Sequence, residues 1–389
     1  MRRRGILLAR DFNNIIDYVR TELDAFGQRD VCRLDSLVLS QLAYFRLPEG
    51  VADTAEDAVA LKDLYRADWF DAMCSKVYDP ESSLELLTAV AASPRFREVR
   101  VSGYVSKVNE VAEQQFSAMT FTLYEDATFV AFRGTDNTLV GWKEDFNISF
   151  ATSIPSQKSA LRYLEHVADR THGKLWCGGH SKGGNLAVYA GVMCRPTTRE
   201  RIERCYSHDG PGFSDETMAD SHWAGAAALV DKTIPQSSLV GMIFERQEID
   251  YSVVRSQSKG FSQHDPFSWE VDGCDFVIEE QIGNGARRVD STVNEWLATT
   301  SAEERERFVD AIFTVIGAAD QDSFADIKAT WRTSVPKMAM AARDLDPGDR
   351  RIVMAAAGDL IGAVVPSITK LGLDWLVPPD STAALPAGE

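Results

Sequence analysis

Residues 174–194 read KLWCGGHSKGGNLAVYAGVMC, and this stretch decides the fold. A short apolar run leads into a glycine-rich turn, and an apolar segment typical of a buried helix follows it. Glycine, serine and lysine in such a turn fit either a loop that binds phosphate or a turn that presents a nucleophilic serine. These two alternatives lead to unrelated proteins.

The spacing excludes the phosphate loop. A P-loop needs GxxxxGK[ST], and counting from Gly178 the second glycine is followed by glycine and asparagine instead. The GxGxxG pattern of dinucleotide-binding proteins fails as well. GxSxG fits residues 179–183, between a strand and a helix, as a nucleophile elbow requires. We therefore predict that Ser181 is a nucleophile. The alternative is a tight turn whose serine only caps the helix.

A nucleophilic serine needs a base. In α/β-hydrolases the triad follows the order serine, acid, histidine, so the base comes late in the sheet. The chain has six histidines. His180 adjoins the serine and should point elsewhere. His264, in GFSQHDPFSWEV, follows the last strand candidate, SSLVGMIFE (237–245), with room for an acid between them. His264 is therefore the predicted base.

Several carboxylates could serve as the acid. The segment after that strand candidate, ERQEIDYSVV (245–254), offers Glu245, Glu248 and Asp250. Asp209, in SHDGPGF, is a rival one strand earlier. Position favours Asp250 without excluding the others.

The surrounding alternation of strands and helices predicts an α/β protein with a mostly parallel central sheet flanked by helices. Residues 117–135 indicate a hairpin, and SQKSALRYLEHVADRTHG indicates a helix before the elbow. We predict a helical N-terminal region over 1–90, packed on a core over 91–289. In that region Leu23 should share a helix face with Ile15, Ile16 and Val19, and Asp35 should cap the next helix.

Helices return near the C-terminus. We predict a helical region over 290–375 that packs on the core, and a disordered tail over 376–389. An apolar stripe supports the packing, because leaving it in water would be costly. Its residues are Phe308, Val309, Ile312, Phe313 and Ile316.

The composition of the chain argues against several classes of binding partner. The 389 residues carry a net charge of -17, which argues against nucleic acid as a partner. The apolar stretch 352–368 is broken by Asp359 and Pro366, so we expect no stable membrane insertion. The six cysteines form no CxxC motif, which predicts free thiols in the cytoplasm. No cysteine–histidine cluster has zinc-ligand spacing, so neither metal nor cofactor is expected.

Four segments together resemble a bacterial family of lipase-like α/β hydrolases, first described as a domain of unknown function and similar to the fungal-type class three lipases. The resemblance spans roughly residues 13 to 285. The segments that carry it are FVAFRGTDNTLVGWKEDF (129–146), GGHSKGGNLAVYAG (178–191), YSHDGPGF (206–213) and FSQHDPFSWEV (261–271).

The resemblance implies an α/β-hydrolase fold and a catalytic triad of Ser181, His264 and Asp250. It also implies an oxyanion hole formed by Thr135 and the backbone N–H of Lys182. A lysine after the serine departs from the lipases, which usually carry an apolar residue there. This departure argues against long-chain triglyceride as the substrate.

The implied activity is that of a serine hydrolase acting on a small-molecule or lipid-like acyl ester, without metal or cofactor. Thioester or amide cleavage by the same triad is an alternative, and so is a non-catalytic binding protein on the same fold. Residues 136–150 would be a lid with Trp142 as an apolar contact, or an ordinary surface helix. The oligomeric state stays open, and a dimer through 352–368 is one alternative.

Overall fold

A computed structural model of the protein describes residues 12–109, 114–135, 153–236, 249–258, 260–280 and 330–350, positions 238, 240 and 241, and several separate positions between 301 and 319. The strands are β1 (Val59–Ala60), β2 (Arg100–Asn109), β3 (Gln114–Tyr124), β4 (Ala127–Phe132), β5 (Lys174–His180), β6 (Ile202–His208), β7 (Val230–Pro235), β8 (Tyr251–Val254), β9 (Val271–Asp272), β10 (Asp275–Phe276) and β11 (Ile278–Glu279). The α-helices are α1 (Ile15–Thr21), α2 (Arg33–Leu42), α3 (Phe70–Met73), α4 (Pro80–Ala92), α5 (Pro155–Ala168), α6 (Lys182–Met193), α7 (Pro196–Arg199), α8 (Asp215–Met218) and α9 (Trp331–Asp344). Short 3₁₀ helices cover Leu61–Leu64, Ser221–Trp223, Ala226–Leu229, Gly260–His264 and Pro266–Ser268.

The chain divides into two units, Met1–Asp290 and Ser291–Glu389. Strands β1 to β11 belong to the first unit, and α9 belongs to the second. The predicted apolar stripe from Phe308 to Ile316 lies outside the described side chains. Within the described part of the chain, no helix combines the length and the apolar character needed to cross a bilayer.

The large sheet has the strand order β1-β2-β3-β4-β5-β6-β7-β8-β11. Strands β4 to β8 run parallel, which confirms the predicted α/β class. The predicted hairpin is also confirmed, because β3 pairs antiparallel with β4. The sheet is mixed, however, and not mostly parallel as predicted. A meander of β1, β2 and β3 adds antiparallel strands at one edge, and β11 adds one at the other.

Helices cover both faces of this sheet. Alternate residues of a strand point to opposite faces. In β4, Phe129 and Ala131 pack in one apolar cluster, while Val130 and Phe132 pack in the other. The first cluster includes buried residues of α1, α2 and α4, and the second includes those of α5 and α6. The carboxyl ends of the parallel strands therefore lie between two packed layers of helices.

Helix α1 is shorter than the sequence pattern predicts. Asn14 caps it by accepting a hydrogen bond from the backbone N–H of Ile16 (2.9 Å), and the helix ends at Thr21. Leu23 is 58% exposed, so the prediction that it shares the buried face of the helix is wrong. The Asn14 amide also donates to the carbonyl of Phe267 (2.8 Å), which ties α1 to the segment after His264.

Asp35 does not cap α2 as predicted, because it lies inside the first turn of that helix. Its carboxylate accepts from the backbone N–H of Cys32 (2.9 Å), the true N-cap residue. Arg95 binds both carboxylate oxygens (2.8 and 2.7 Å), and Tyr18 donates its hydroxyl to Oδ1 (2.7 Å). The side chains of Asp35 and Arg95 are fully buried. This network joins α1, α2 and the segment that leads into β2.

We expect Arg95→Met to lower the free energy of unfolding by about 3–5 kcal/mol, because the Asp35 carboxylate would stay buried without its partner. Arg20→Met is the control. Arg20 forms a partly exposed ion pair with Glu85 (2.9 Å), and such pairs contribute less than about 1 kcal/mol. Urea denaturation followed by circular dichroism measures both losses. Equal losses in the two variants would contradict this interpretation of the buried pair.

Candidate active site

Ser181 occupies the sharp turn between β5 and α6. Its backbone has φ 58° and ψ −133°, a combination that residues with a side chain rarely adopt. The glycines on either side are required by sterics. A Cβ on Gly179 would collide with the backbone of Gly183, and a Cβ on Gly183 would collide with the carbonyl oxygen of Phe132. Strand, strained serine and helix thus occur where the sequence pattern predicts them.

The chain after β4 runs beside this turn. A Cβ on Gly134 would lie 3.1 Å from the Cβ of Ser181, so the backbone before Thr135 is in contact range of the serine. Thr135 is half-buried, and Lys182 is buried. Ser181 itself is buried, and its backbone N–H donates to the carbonyl of His208 (2.9 Å). The oxyanion roles of Thr135 and Lys182 stay predictions.

The imidazole of His264 is bound to a buried carboxylate. Its Nδ1 lies 2.6 Å from Oδ2 of Asp209, which is fully buried, while the His264 side chain is 18% exposed. A carboxylate at Nδ1 fixes the proton on that nitrogen, which leaves Nε2 as the basic nitrogen of the ring. A histidine held in this way can act as a general base.

The structure pairs His264 with Asp209 and not with Asp250, the acid preferred from the sequence. Asp250 is exposed and directly precedes β8. The prediction of Asp250 assumes that the acid follows a strand at 237–245. The predicted strand 237–245 lies mostly outside the described residues, and the strands that continue the sheet are β7 and β8 on either side of it. Glu245 and Glu248 also lie outside the described residues.

Ser181 and Asp209 follow equivalent positions on neighbouring strands. His180 pairs with His208 in the parallel register of β5 and β6, so the next residue of each strand leaves the sheet at the same edge. Asp209 has φ 53°, a left-handed conformation that aspartate tolerates better than most residues. The matching dipeptides, His-Ser and His-Asp at two strand ends, are the sequence signal of this juxtaposition.

Two residues that follow β7 bind the Asp209 carboxylate. Its Oδ1 accepts from the backbone N–H of Gly241 (3.1 Å) and from the hydroxyl of Ser238. The carbonyl of Gly241 accepts from Nζ of Lys232 (2.8 Å), a buried residue of β7. Burial lowers the pKa of Lys232 to about 7, and the negative charge of Asp209 opposes this shift. The Asp209 carboxylate therefore has hydrogen-bond donors from the protein although it is shielded from solvent.

Asn185 holds the loop that follows Asp209. Its amide donates to the carbonyls of Pro211 (3.1 Å) and Gly212 (2.9 Å), and its oxygen accepts from the side chain of Gln157 (2.8 Å). Asn185 comes from α6 and Gln157 from the first turn of α5. Both helices on this side of the sheet therefore fix the loop after Asp209. No sequence motif indicates these two residues.

His208 is buried beneath the same edge. Its Nε2 lies 3.0 Å from the hydroxyl of Ser36 on α2. Burial and the charge of Arg33 lower the pKa of His208 from 6.5 to about 3. This histidine is therefore neutral near pH 7, and it belongs to the packing of the sheet on α2.

We expect acid to destabilise the wild type more than His208→Gln. The unfolded histidine binds a proton below pH 6.5, whereas the folded one stays neutral down to about pH 3. Within that window the free energy of unfolding should fall by about 1.4 kcal/mol per pH unit through this group alone. Glutamine keeps a polar group near Ser36 but does not titrate. Urea denaturation at pH 7, 5.5 and 4 measures the difference, and parallel pH profiles would contradict the assignment.

The predicted lid over 136–150, with Trp142, lies outside the described residues. Among the residues that are described, no group of three or more histidines, cysteines or acidic residues is arranged to hold a metal ion.

A family match places the chain among known sequences. The profile of the Mbeg1-like family matches residues 90–314, which is more than half of the chain. The chain belongs to the Mbeg1-like family. The matched part of this Mbeg1-like protein contains Ser181, Asp209 and His264. No curated protein matches the chain significantly.

Solved structures that resemble the Mbeg1-like protein include lipases, at low similarity. M37 lipase is 14% identical with a TM-score of 0.33, over 56% of this chain and 71% of the lipase. A triacylglycerol lipase, described as having a serine protease triad as its catalytic centre, is 14% identical with a TM-score of 0.34, over 63% and 83% of the two chains. The native propeptide complex of Rhizomucor miehei lipase is 13% identical with a TM-score of 0.33, over 64% and 86%. Values this low do not establish a shared activity.

Proposed function

We propose that this Mbeg1-like protein is a serine hydrolase that cleaves acyl esters through an acyl-enzyme, on an α/β-hydrolase fold. The observation that carries the proposal is the pairing of His264 with buried Asp209 at the sheet edge where Ser181 sits on a strained elbow. A strained backbone at a serine and a buried carboxylate at a histidine both cost stability, and such costs are common at catalytic sites.

In the first half-reaction, Oγ of Ser181 attacks the acyl carbonyl carbon while Nε2 of His264 takes the hydroxyl proton. Asp209 holds the proton on Nδ1 and stabilises the imidazolium. The tetrahedral intermediate then collapses, and the bond to the alcohol breaks. His264 returns the proton to the leaving alkoxide, so the alcohol leaves neutral and the acyl group stays on Ser181.

In the second half-reaction, water attacks the acyl carbon with His264 again as the base. The ester bond to Ser181 breaks, the serine recovers its proton, and a carboxylic acid is released. We assign the oxyanion contacts to the backbone N–H of Lys182, at the start of α6, and to Thr135. The loss of one such donor typically costs about 2.7–4 kcal/mol of transition-state stabilisation.

We propose a small-molecule or lipid-like acyl ester as the substrate, without a metal or organic cofactor. The mechanism needs only an acyl group with a competent leaving group, so a thioester or an activated amide would follow the same steps. Acyl length depends on the surfaces around the elbow, and the proposed lid segment over 136–150 would contribute to them.

The experiment is hydrolysis of p-nitrophenyl esters with acyl chains from acetyl to palmitoyl, with thioester and anilide analogues alongside. We expect turnover of the shorter esters, with saturation kinetics. A folded protein that hydrolyses none of these substrates, and whose Ser181 resists acylation, would favour the non-catalytic binding protein instead.

A further inference from the structure

His180, the residue before the proposed nucleophile, contacts the segment that carries the proposed base. It lies in the last position of β5 and is buried. Its Nε2 lies 2.8 Å from the backbone carbonyl oxygen of His264, and its Nδ1 lies 3.1 Å from the hydroxyl of Tyr44. The rings of His180 and His264 are 4.5 Å apart between centroids, inclined by 36°.

These partners fix the tautomer of His180. A carbonyl oxygen only accepts hydrogen bonds, so Nε2 of His180 carries the proton and donates it to His264. Nδ1 is then the acceptor, and the Tyr44 hydroxyl donates to it. Burial, and secondarily the neighbouring charge of His264, lower the pKa of His180 well below its usual value. The ring therefore stays neutral, and the arrangement holds across the pH range in which a serine hydrolase works.

The backbone of His264 is held in a short 3₁₀ turn, Gly260–His264, rather than in a long element. Trp269 supports this turn by donating its indole N–H to the carbonyl of Gln263 (2.7 Å). Asp209 holds the His264 side chain, as described above. The hydrogen bond from His180 links the His264 backbone to the strand that presents Ser181.

We propose that His180 is a positioning residue, which holds the His264 backbone against the end of β5 and so sets the distance from the base to the nucleophile. This inference rests on the proposed function of Ser181 and His264. His180, the variable residue before the serine of the GxSxG pattern, would therefore orient the base. A displacement of about 1 Å in such a site is enough to cost about 100-fold in rate.

Two amide variants separate the two nitrogens of His180. The amide nitrogen of glutamine reaches the position of Nε2, and that of asparagine reaches only the position of Nδ1. His180→Gln therefore keeps a donor for the His264 carbonyl, whereas His180→Asn loses it at a similar polarity. His172→Asn, at an exposed histidine after α5, controls for the loss of an imidazole elsewhere.

The measurement is the second-order rate constant for labelling of Ser181 by a fluorophosphonate, with kcat and KM for a p-nitrophenyl ester and the melting temperature of each variant. We expect His180→Asn to label about 100-fold more slowly than the wild type. Its loss in ester hydrolysis should appear in kcat, while KM stays within about threefold of the wild-type value. His180→Gln should recover most of the rate, to within about tenfold of the wild type, and His172→Asn should match the wild type.

The inference is overturned if folded His180→Asn labels as fast as the wild type, or if His180→Gln is as slow as His180→Asn. Either result leaves the proposed hydrolase intact, because the wild type still reacts at Ser181. A folded wild type that never labels at Ser181 overturns the proposed function and this inference together. If His180→Asn does not fold, His180→Gln is compared with the wild type alone. A folded His180→Gln that labels more than about tenfold more slowly than the wild type then overturns the inference.

Discussion

Ser181→Ala is expected to lower kcat/KM for a short-chain p-nitrophenyl ester by about 10⁴-fold or more, since removing a triad nucleophile leaves only binding and oxyanion stabilisation. The melting temperature should change little. Alanine keeps the Cβ and adopts the same strained φ of 58°, and only the hydroxyl is lost. The control is Ser214→Ala, a half-buried serine whose hydroxyl bonds Thr217 (3.0 Å) at the start of α8.

Steady-state kinetics on purified proteins, with circular dichroism melting for each, measure this effect. Residual activity of Ser181→Ala within about tenfold of the wild type would mean that another group attacks the substrate, because triad losses span several decades. A comparable loss in Ser214→Ala would instead indicate damage to the fold of this unit.

The second large effect concerns the acid. Asp209→Asn is expected to lower kcat by about 10⁴-fold, because an amide at Nδ1 of His264 would favour the wrong imidazole tautomer. Asp250→Asn should stay within about threefold of the wild type, because Asp250 is exposed and the carboxylate at the imidazole is that of Asp209. The pair is matched in chemistry and differs only in position.

Steady-state kinetics with a short-chain p-nitrophenyl ester measure the kcat of both variants, and circular dichroism shows whether each variant is folded. An inactive Asp250→Asn beside an active Asp209→Asn would restore the assignment made from the sequence and refute the one made from the geometry.

The elbow could be predicted from sequence because its requirements are local. Gly179 and Gly183 are demanded by contacts within a few residues and with β4, and these demands leave a recognisable pattern around Ser181. The hairpin of β3 and β4 and the helix α5 were predicted for the same reason, since their turn residues and apolar spacing lie within single segments.

The carboxylate that binds His264 could not be predicted in this way, because its position depends on which segments become strands. The sequence predicts a strand at 237–245 before Asp250, whereas the described strands on either side of that segment are β7, which ends at Pro235, and β8, which begins at Tyr251. The parallel register that puts Asp209 beside the end of β5 is a long-range property. No local pattern encodes it, although the repeated His-Ser and His-Asp dipeptides are compatible with it.

The predicted end of α1 and the predicted N-cap of α2 were wrong for a related reason. The periodicity that includes Leu23 continues past Thr21, but the helix stops there and Leu23 is exposed. Asp35 is a residue type typical of a helix N-cap, yet its side chain is buried in an ion pair with Arg95. Tertiary contacts therefore decide both positions. The helical region predicted over 290–375, packed on the core, stays a prediction.

The most direct test of the central claim is to treat the folded wild type with a fluorophosphonate and to locate the adduct by mass spectrometry of its peptides. We predict one adduct, on Ser181, which disappears in Ser181→Ala and forms far more slowly in Asp209→Asn while Asp250→Asn matches the wild type. A folded protein that forms no adduct, or one that carries it on another serine, would contradict the proposed serine hydrolase.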